Sequence, residues 1–174
     1  MAYVTDFKKA PLDNLLGLIN EANNLGLVPA SVALRNLQAE VAPEGKTYNT
    51  SVEIDLLTNE VVDDFAKFTY KRVDLGTLFS LIVPGFRQVD VPLNESGVPA
   101  DPAVLYAELL RKYGTAFTEA DFSYSLKAPG VITLTAKDTN LMYIGSVDLQ
   151  ITSSLESRVK YTILDGFVVP VQQP

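Results

Sequence analysis

The sequence of 174 residues contains no cysteine, no histidine and no tryptophan. Without cysteine and histidine, it cannot form disulfides, thiolate zinc sites, thiol nucleophiles or imidazole bases. The missing tryptophan also argues against a sugar-binding cleft. A catalytic site in this chain would therefore depend on carboxylates, lysines or hydroxyls.

Positive charge is also scarce, since 14 Lys and Arg face 21 Asp and Glu for a net charge of −7. Where basic residues are adjacent they form isolated pairs, such as Lys71 and Arg72, whose side chains point to opposite faces if they lie on a strand. The longest apolar run, 78–86, contains Ser80, Pro84 and Gly85 and is too short to span a bilayer. We therefore expect a soluble protein, without a signal peptide, that binds neither nucleic acid nor membrane.

Hydrophobic periodicity predicts an α+β fold, in which a few short helices pack on antiparallel β-sheets. Apolar residues at helical spacing predict one helix from Pro11 to Ala22 and another from Pro102, with Asp101 as its N-cap. Asp74 is predicted to cap a shorter helix that Pro84 and Gly85 terminate. Alternation of apolar and polar residues predicts strands from 32, at 48–56, 61–73, 89–91, from 122, at 131–135, 147–151 and 159–164.

The two long helices begin similar units at an offset of 90 residues, which pairs Ile19 with Leu109, Asn24 with Gly114 and Val32 with Phe122 (122 − 32 = 90). The organisation predicted from this offset is an N-terminal arm (1–10), a first α+β half (11–92), a second α+β half (93–165) and an extended tail (166–174). One compact domain with two generic helix-turn-strand units is the alternative.

Two pairs of acidic residues are the candidates for carboxylate chemistry of the glycosidase type. Glu53 and Asp55 share one face of a strand, where the simpler interpretation is the solvated side of that strand. Glu119 and Asp121 lie in a turn in which Thr118 and Asp121 are predicted to form a capping box with their backbone N–H groups. Because structural roles explain all four acids, we predict no catalytic residue.

Ligand motifs are also missing from the sequence. The ten glycines are dispersed and form no phosphate loop, and Asp138-Thr139-Asn140 lacks the glycine and glutamate of a calcium loop. The acidic pair Asp63-Asp64 is most simply a polar interruption of its strand. We therefore predict no metal and no cofactor.

Apolar segments suggest an alternative to catalysis. The run 78–86 is either buried under the sheet or part of a subunit interface. The termini, which are rich in valine and aromatic residues, are suited to adding a strand to the sheet edge of a neighbouring molecule.

Four segments together resemble a family of structural domains in virion proteins of large contractile-tailed bacteriophages. They are Leu15–Asn23 in the first helix, Tyr70–Leu78 with Tyr-x-Arg-Val-Asp-Leu-Gly, Leu110–Asp121 with Tyr-Gly-Thr-x-Phe-Thr, and Tyr143–Val147 with Tyr-Ile-Gly-Ser-Val. Their order and spacing over residues 12–150 carry the resemblance. It implies a role in particle assembly and no catalysis.

The resulting hypothesis is a bacteriophage virion structural protein, not an enzyme, that acts through protein–protein interfaces in the tail, neck or baseplate. Its expected partners are other virion proteins and further copies of itself in a homo-oligomer, and its expected location is the virion. The alternatives are a capsid decoration protein, a carboxylate-based glycan hydrolase and a host-surface binding module of the particle.

Overall fold

A computed structural model describes residues 3–57, 65–82 and 87–153 of the chain. The helices of this part are α1 (Pro11–Asn23), α2 (Leu75–Ile82) and α3 (Pro102–Tyr113). The strands are β1 (Val32–Ala39), β2 (Thr50–Leu56), β3 (Phe65–Tyr70), β4 (Val73–Asp74), β5 (Gln88–Asp90), β6 (Phe122–Ala128), β7 (Val131–Ala136), β8 (Tyr143–Ile144) and β9 (Ser146–Thr152). The predicted α+β class is confirmed.

The strands form three sheets in the described residues. The first sheet has the antiparallel order β1-β2-β3, and the second has the order β5-β9-β7-β6. A short third sheet pairs β4 with β8. The pairs β4–β8 and β5–β9 are parallel, whereas antiparallel sheets were expected. The sequence did not indicate this because alternation reports which face of a strand is buried and not the direction of its partner.

Helix α1 begins at Pro11, whose missing N–H costs no hydrogen bond in the first turn. It ends at Asn24, which adopts the left-handed conformation with φ of 54° and donates its N–H to the carbonyl of Asn20. The side chain of Asn20 then bonds both the N–H and the carbonyl of Leu27 at 2.8 Å. These bonds fix the direction in which the chain leaves the helix.

Helix α3 uses the caps that the sequence predicts. The Asp101 carboxylate accepts a hydrogen bond from the N–H of Ala103 at 2.8 Å, and Pro102 is the first helical residue. Gly114 ends the helix with φ of 70° and donates its N–H to the carbonyl of Leu110. Glycine suits this position because a Cβ in the left-handed conformation is sterically unfavourable.

The 90-residue offset is visible in the backbone of both units. The left-handed residues Asn24 and Gly114 have the same offset as Val32 and Phe122, which begin β1 and β6 (114 − 24 = 90). Between these points each unit closes a turn in which an N–H bonds the carbonyl three residues earlier, Ser31 to Val28 and Asp121 to Thr118. The two units therefore share their local geometry as well as their hydrophobic pattern.

The buried apolar side chains form two clusters. The smaller cluster lies between α1 and the first sheet, and the larger one lies among α2, α3 and the second sheet. Membership changes from the smaller to the larger cluster between Tyr70 and Leu75. Apart from Phe7, which packs on the larger cluster, and Leu141, which packs on the smaller one, the chain builds one core before this point and a second core after it.

The N-terminal arm contacts both parts of the molecule. The side chain of Asn14 in α1 accepts from the N–H of Asp6 and donates to its carbonyl. The carbonyl of Phe7 accepts from the N–H of Ala116 at 2.8 Å, and its ring packs on the larger cluster. The described arm, residues 3–10, therefore lies against the body of the protein.

Several predicted features lie outside the described residues. They are the strand at 159–164, the tail at 166–174, the Asp63-Asp64 interruption and the helix stop at Pro84 and Gly85.

Candidate functional site

The first acidic pair lies on the face of the first sheet that points away from α1. Arg35 on β1 approaches Asp55 at 3.1 Å and Glu53 at 3.5 Å, and its guanidinium lies 4.4 Å from the ring centre of Phe65 on β3. Glu53 and Asp55 are thus paired with one cation in a ladder across three strands. This arrangement agrees with the simpler interpretation of a polar sheet face.

The second pair belongs to the turn that precedes β6. The hydroxyl of Thr118 donates to the carboxylate of Asp121 at 2.7 Å, and the carbonyl of Glu119 accepts from the ammonium of Lys137. The predicted capping box, with side chains bonded to backbone N–H groups, is therefore wrong. A strand follows this turn, so it does not expose the free N–H groups that a helix start would offer.

Two other carboxylates, which lie near the surface and are partly exposed, have pKa values below their usual range. Hydrogen bonds from Lys67 and Ser51 lower the pKa of Glu40, which contacts Lys67 at 2.8 Å. Hydrogen bonds from Lys127 and Thr133 lower the pKa of Asp148. Each acid joins neighbouring strands and stays ionised at neutral pH, so neither is suited to act as a general acid.

Arg72 is the most buried charged side chain of the described residues, with 8% of its surface exposed. Its guanidinium donates to the hydroxyl of Thr50 at 2.8 Å and to the carbonyls of Asn140 at 2.9 Å and Asp138 at 3.3 Å. Burial lowers the pKa of Arg72, yet an arginine keeps its charge in this environment. It connects the first sheet to the loop before β8.

Tyr70 reinforces this connection from the end of β3. Its hydroxyl donates to the carbonyl of Leu141 at 2.8 Å, and burial raises the pKa of Tyr70 to about 12. In the same loop, the side chain of Asn140 accepts from the N–H groups of Met142 and Tyr143. The loop is thereby held in one conformation against Arg72 and Tyr70.

Asp74 and Gly145 meet where the two short parallel strands end. The Asp74 carboxylate accepts from the N–H and the hydroxyl of Thr77 and so caps the start of α2, as predicted. A Cβ on Gly145 would lie 2.5 Å from a carboxylate oxygen of Asp74, and Gly145 has φ of 77°. Glycine is required here for both space and conformation.

Two of the four segments that carry the family resemblance therefore meet in space. Tyr70–Leu78 supplies Arg72, β4 and the cap of α2, and it pairs through β4 with β8 in Tyr143–Val147. We call the contacts of Tyr70, Arg72, Asp74, Asn140 and Gly145 the junction. These residues hold the two parts of the fold together. The side chains of Tyr70, Arg72, Asp74 and Asn140 make the polar contacts described above, and Gly145 leaves space for the carboxylate of Asp74.

An apolar groove lies beside β3, near the junction. It has a volume of about 470 Å³ and lies between α1 and β3, with Tyr3 and Thr5 of the arm completing its lining. The side chains that define it are Leu18, Ile19, Ala22, Phe68, Tyr70 and Lys71. The sequence did not predict this groove, because alternation in β3 shows which face is apolar but not that the strand has no second neighbour among the described residues.

The apolar run 78–86 divides between core and surface. Leu78 and Phe79 are buried in the larger cluster, and Ile82 packs against it. Leu81 is 76% exposed on the outer face of α2. Burial therefore accounts for most of the described part of this run, while Leu81 remains available for an interface.

In the part of the chain that the structure describes, no group of three or more acidic side chains is arranged to hold a metal ion. No helix in these ranges has the length and apolar character needed to cross a membrane.

Comparison with known families gives one match. The model of the family of unknown function DUF7941 matches residues 5–174. Comparisons with curated proteins and with solved structures give no match. The matched range includes both units of the 90-residue offset and the whole junction.

Proposed function

We propose that this chain, which belongs to the family of unknown function DUF7941, is a structural protein of a bacteriophage virion. It acts in particle assembly through interfaces with other virion proteins and with further copies of itself. The tail, neck or baseplate is the first location proposed, and a decorating position on the capsid is the second. The protein performs no catalysis in this role.

The junction is the observation that carries this proposal. The resemblance to virion proteins rests on short segments that are far apart in sequence, and Tyr70–Leu78 meets Tyr143–Val147 through β4 and β8. Arg72, Asp74 and Gly145 each have a defined structural task there. Residues that act together in one place form a fold signature, so the resemblance concerns the fold, and the assembly role is carried over by analogy.

The surface chemistry supports an assembly role over a catalytic one. Glu53 and Asp55 pair with Arg35, and Asp121 accepts from Thr118. A glycan hydrolase needs one carboxyl group whose pKa is raised so that it can donate a proton. Among the described residues, the carboxylates with clearly shifted pKa values, Glu40 and Asp148, are shifted in the opposite direction.

The proposal is tested in particles of the phage that encodes the chain. Mass spectrometry of gradient-purified virions should detect the chain at a stoichiometry of several copies per particle, and chemical cross-linking should connect it to tail, neck, baseplate or capsid proteins. A host-cell extract carried through the same gradient is the control. Absence of the chain from virions would contradict the proposal, as would glycan hydrolysis that is lost in Glu119→Gln or Asp121→Asn with folding intact.

A further inference from the structure

The two sheets are equivalent by register, which allows positions in one to be matched with positions in the other. Val32 begins β1 and pairs with Leu56, and Phe122 begins β6 and pairs with Ala136. Because Val32 and Phe122 are related by the 90-residue offset, Leu56 corresponds to Ala136. From these first pairs, antiparallel pairing continues along β1 and β2 in the first sheet and along β6 and β7 in the second.

The third strands can be matched in the same way. Four residues before Leu56 and Ala136 lie Val52 and Ile132, which pair with Phe68 of β3 and Leu149 of β9. Phe68 therefore corresponds to Leu149. Two residues further along, Tyr70 of β3 corresponds to Ile151 of β9.

The second sheet has a fourth strand at this position. Val89, the central residue of β5, pairs with Ile151 in the parallel direction and is fully buried. The carbonyl of the preceding residue, Gln88, accepts from Lys112 and Tyr113 at the end of α3. Strand β5 thus fills the space between the end of α3 and β9.

The first sheet has a groove where the second has β5. Among the described residues, β3 pairs with β2 and has no strand on its other side. The groove extends along Thr69, Tyr70 and Lys71, the counterparts of the three residues of β9 that pair with β5. Its opposite wall includes Ala22 and Asn23, which the 90-residue offset relates to Lys112 and Tyr113. The groove therefore has the position and the walls of a strand-binding site.

The direction of β5 limits what can bind there. A second copy of β3, related by a two-fold axis, would pair in the antiparallel direction. The counterpart of β5 must instead run parallel to β3, which requires a different segment. Contact between two different segments either is exchanged reciprocally in a two-fold dimer or repeats head to tail in a ring or filament.

Residues 159–164 have the pattern that the groove requires. Val159, Tyr161 and Ile163 alternate with Lys160 and Thr162, so one face of an extended strand is apolar and the other is polar. The apolar face suits a groove lined by leucine, isoleucine and aromatic side chains.

The strand directions favour a segment from a second copy. Strand β9 follows β8 and leads away from the β4–β8 pair for seven residues, about 20 Å. A strand parallel to β3 must instead run toward β4. The connection from Thr152 to Val159 spans at most about 25 Å, so the same chain would use almost all of it to retrace the length of β9.

We propose that the groove between α1 and β3 binds residues 159–164 of a second copy of this chain as a parallel fourth strand. Tyr161 lies opposite Tyr70, as Val89 lies opposite Ile151 in the second sheet. Reciprocal exchange of this contact closes a dimer, and head-to-tail repetition assembles the copies in a ring or filament. The inference deepens the proposed function, on which it rests, by naming the partner and the contact.

Matched substitutions in the full chain test this contact by light scattering over a range of concentrations. Ala22→Trp fills the groove at an exposed helix position, and Tyr161→Asp places a charge on the apolar face of the segment. Each should raise the dissociation constant of the assembly at least tenfold. The controls Ala107→Trp, at an exposed position of α3, and Thr162→Asp, on the polar face of the segment, should retain the wild-type mass. A monomeric wild type, or equal masses for all four variants and wild type, would overturn the proposal.

Engineered disulfides test the register and the source of the segment, even where a groove variant folds poorly. Neighbouring strands are about 4.8 Å apart, which is within the Cα separation that a disulfide bridges. The natural chain has no cysteine. Oxidation of a mixture of Thr69→Cys and Lys160→Cys chains should therefore yield a disulfide-linked dimer that contains one chain of each type. No such dimer, or a disulfide formed only inside the double variant, would overturn binding between copies.

Virion composition separates this inference from the proposed function. Chains found in purified particles, together with unchanged masses for Ala22→Trp and Tyr161→Asp, would overturn the groove contact and leave the structural role intact. Self-assembly through the groove by a chain that is missing from particles would overturn the virion role and leave the contact intact.

Discussion

Arg72 shows how one residue can connect two parts of a fold without a carboxylate in its hydrogen bonds. Its guanidinium bonds Thr50 in the first sheet and two carbonyls of the loop before β8. Asn49 also bonds the backbone N–H and carbonyl of Arg72. A planar group with several N–H donors suits this set of acceptors better than an ammonium would.

Arg72→Ala should lower the free energy of unfolding by about 2–4 kcal/mol, because it leaves Thr50 and two carbonyls in need of new partners. Urea denaturation measures this change. Lys46→Ala is the control, since Lys46 is exposed in the loop between β1 and β2, and it should change stability by less than about 0.5 kcal/mol. A similar small change for Arg72→Ala would show that the guanidinium contributes little to the junction.

The contact of Glu40 with Lys67 should make stability depend on pH. The pKa of Glu40 is lower in the folded chain than its ordinary value of 4.5, so its contribution is present above pH 4.5. The contribution is lost as the pH falls through the lower folded value. Melting temperatures of wild type and Glu40→Gln should therefore differ at pH 7 and converge as the pH falls below 4.5.

Because Glu40 is partly exposed, the difference should also shrink in high salt. Lys67→Met should show the same pH dependence, since it removes the partner of the same carboxylate. A difference between Glu40→Gln and wild type that persists unchanged at pH 3 would assign the effect of Glu40 to something other than its charge.

At the scale of elements, the two helix-turn-strand units follow from local signals. Each helix begins with a proline and ends at a left-handed residue, Asn24 or Gly114. Each strand then begins eight residues after that stop, at Val32 or Phe122 (122 − 114 = 8). Caps and turns act over a few residues, which is why the sequence predicted them at the correct positions.

Gly114→Val should lower the free energy of unfolding by about 1 kcal/mol or more, because a β-branched residue is strained at φ of 70°. Thermal or urea unfolding measures the loss. Gly26→Ala is the control, because Gly26 has no positive φ and no atom lies within 4 Å of the position of its added Cβ. That change should be neutral or slightly stabilising. An unchanged stability for Gly114→Val would contradict the role of Gly114 as a helix stop.

At the scale of the whole molecule, the two clusters differ in size. In the described residues the smaller cluster contains seven buried apolar side chains, and the larger one contains eighteen. The larger cluster also includes Phe79, Phe117, Phe122 and Tyr143, whose rings contact one another. The first sheet therefore packs on fewer buried apolar side chains, so its local opening should cost less free energy.

Native-state hydrogen exchange should resolve this difference. The amides of Val52 and Ile54 in β2 should exchange through an opening of lower free energy than those of Ile132 and Leu134 in β7. Both pairs are buried in the centre of their sheets, so they provide a matched comparison. Equal opening energies for the two pairs would show that the clusters unfold as one cooperative unit.

Self-association should make the result of this measurement depend on the protein concentration. If residues 159–164 of a second copy bind beside β3, the amides of β2 and β3 should become more protected as the protein concentration rises. The amides of β7 should change less, because β7 lies between two strands of its own sheet. Thr162→Asp should keep this concentration dependence, and Tyr161→Asp should remove it.

The sequence by itself determined the α+β class, the limits of α1 and α3, the caps at Asp101 and Gly114 and the offset between the two units. These depend on periodicity, on left-handed residues and on capping groups, all of which act between near neighbours. Local sequence signals also explained Glu53, Asp55, Glu119 and Asp121 as structural residues. It gave the wrong bonds for Thr118 and Asp121, because the geometry of that turn depends on the strand that follows.

Only the tertiary structure decided which distant residues meet. The burial of Arg72 against Asn140, the approach of Gly145 to Asp74, the parallel pairing of β5 with β9 and the groove beside β3 all join segments far apart in sequence. The alternation of a strand fixes its apolar face, whereas its partner, direction and free edge depend on how the sheets assemble.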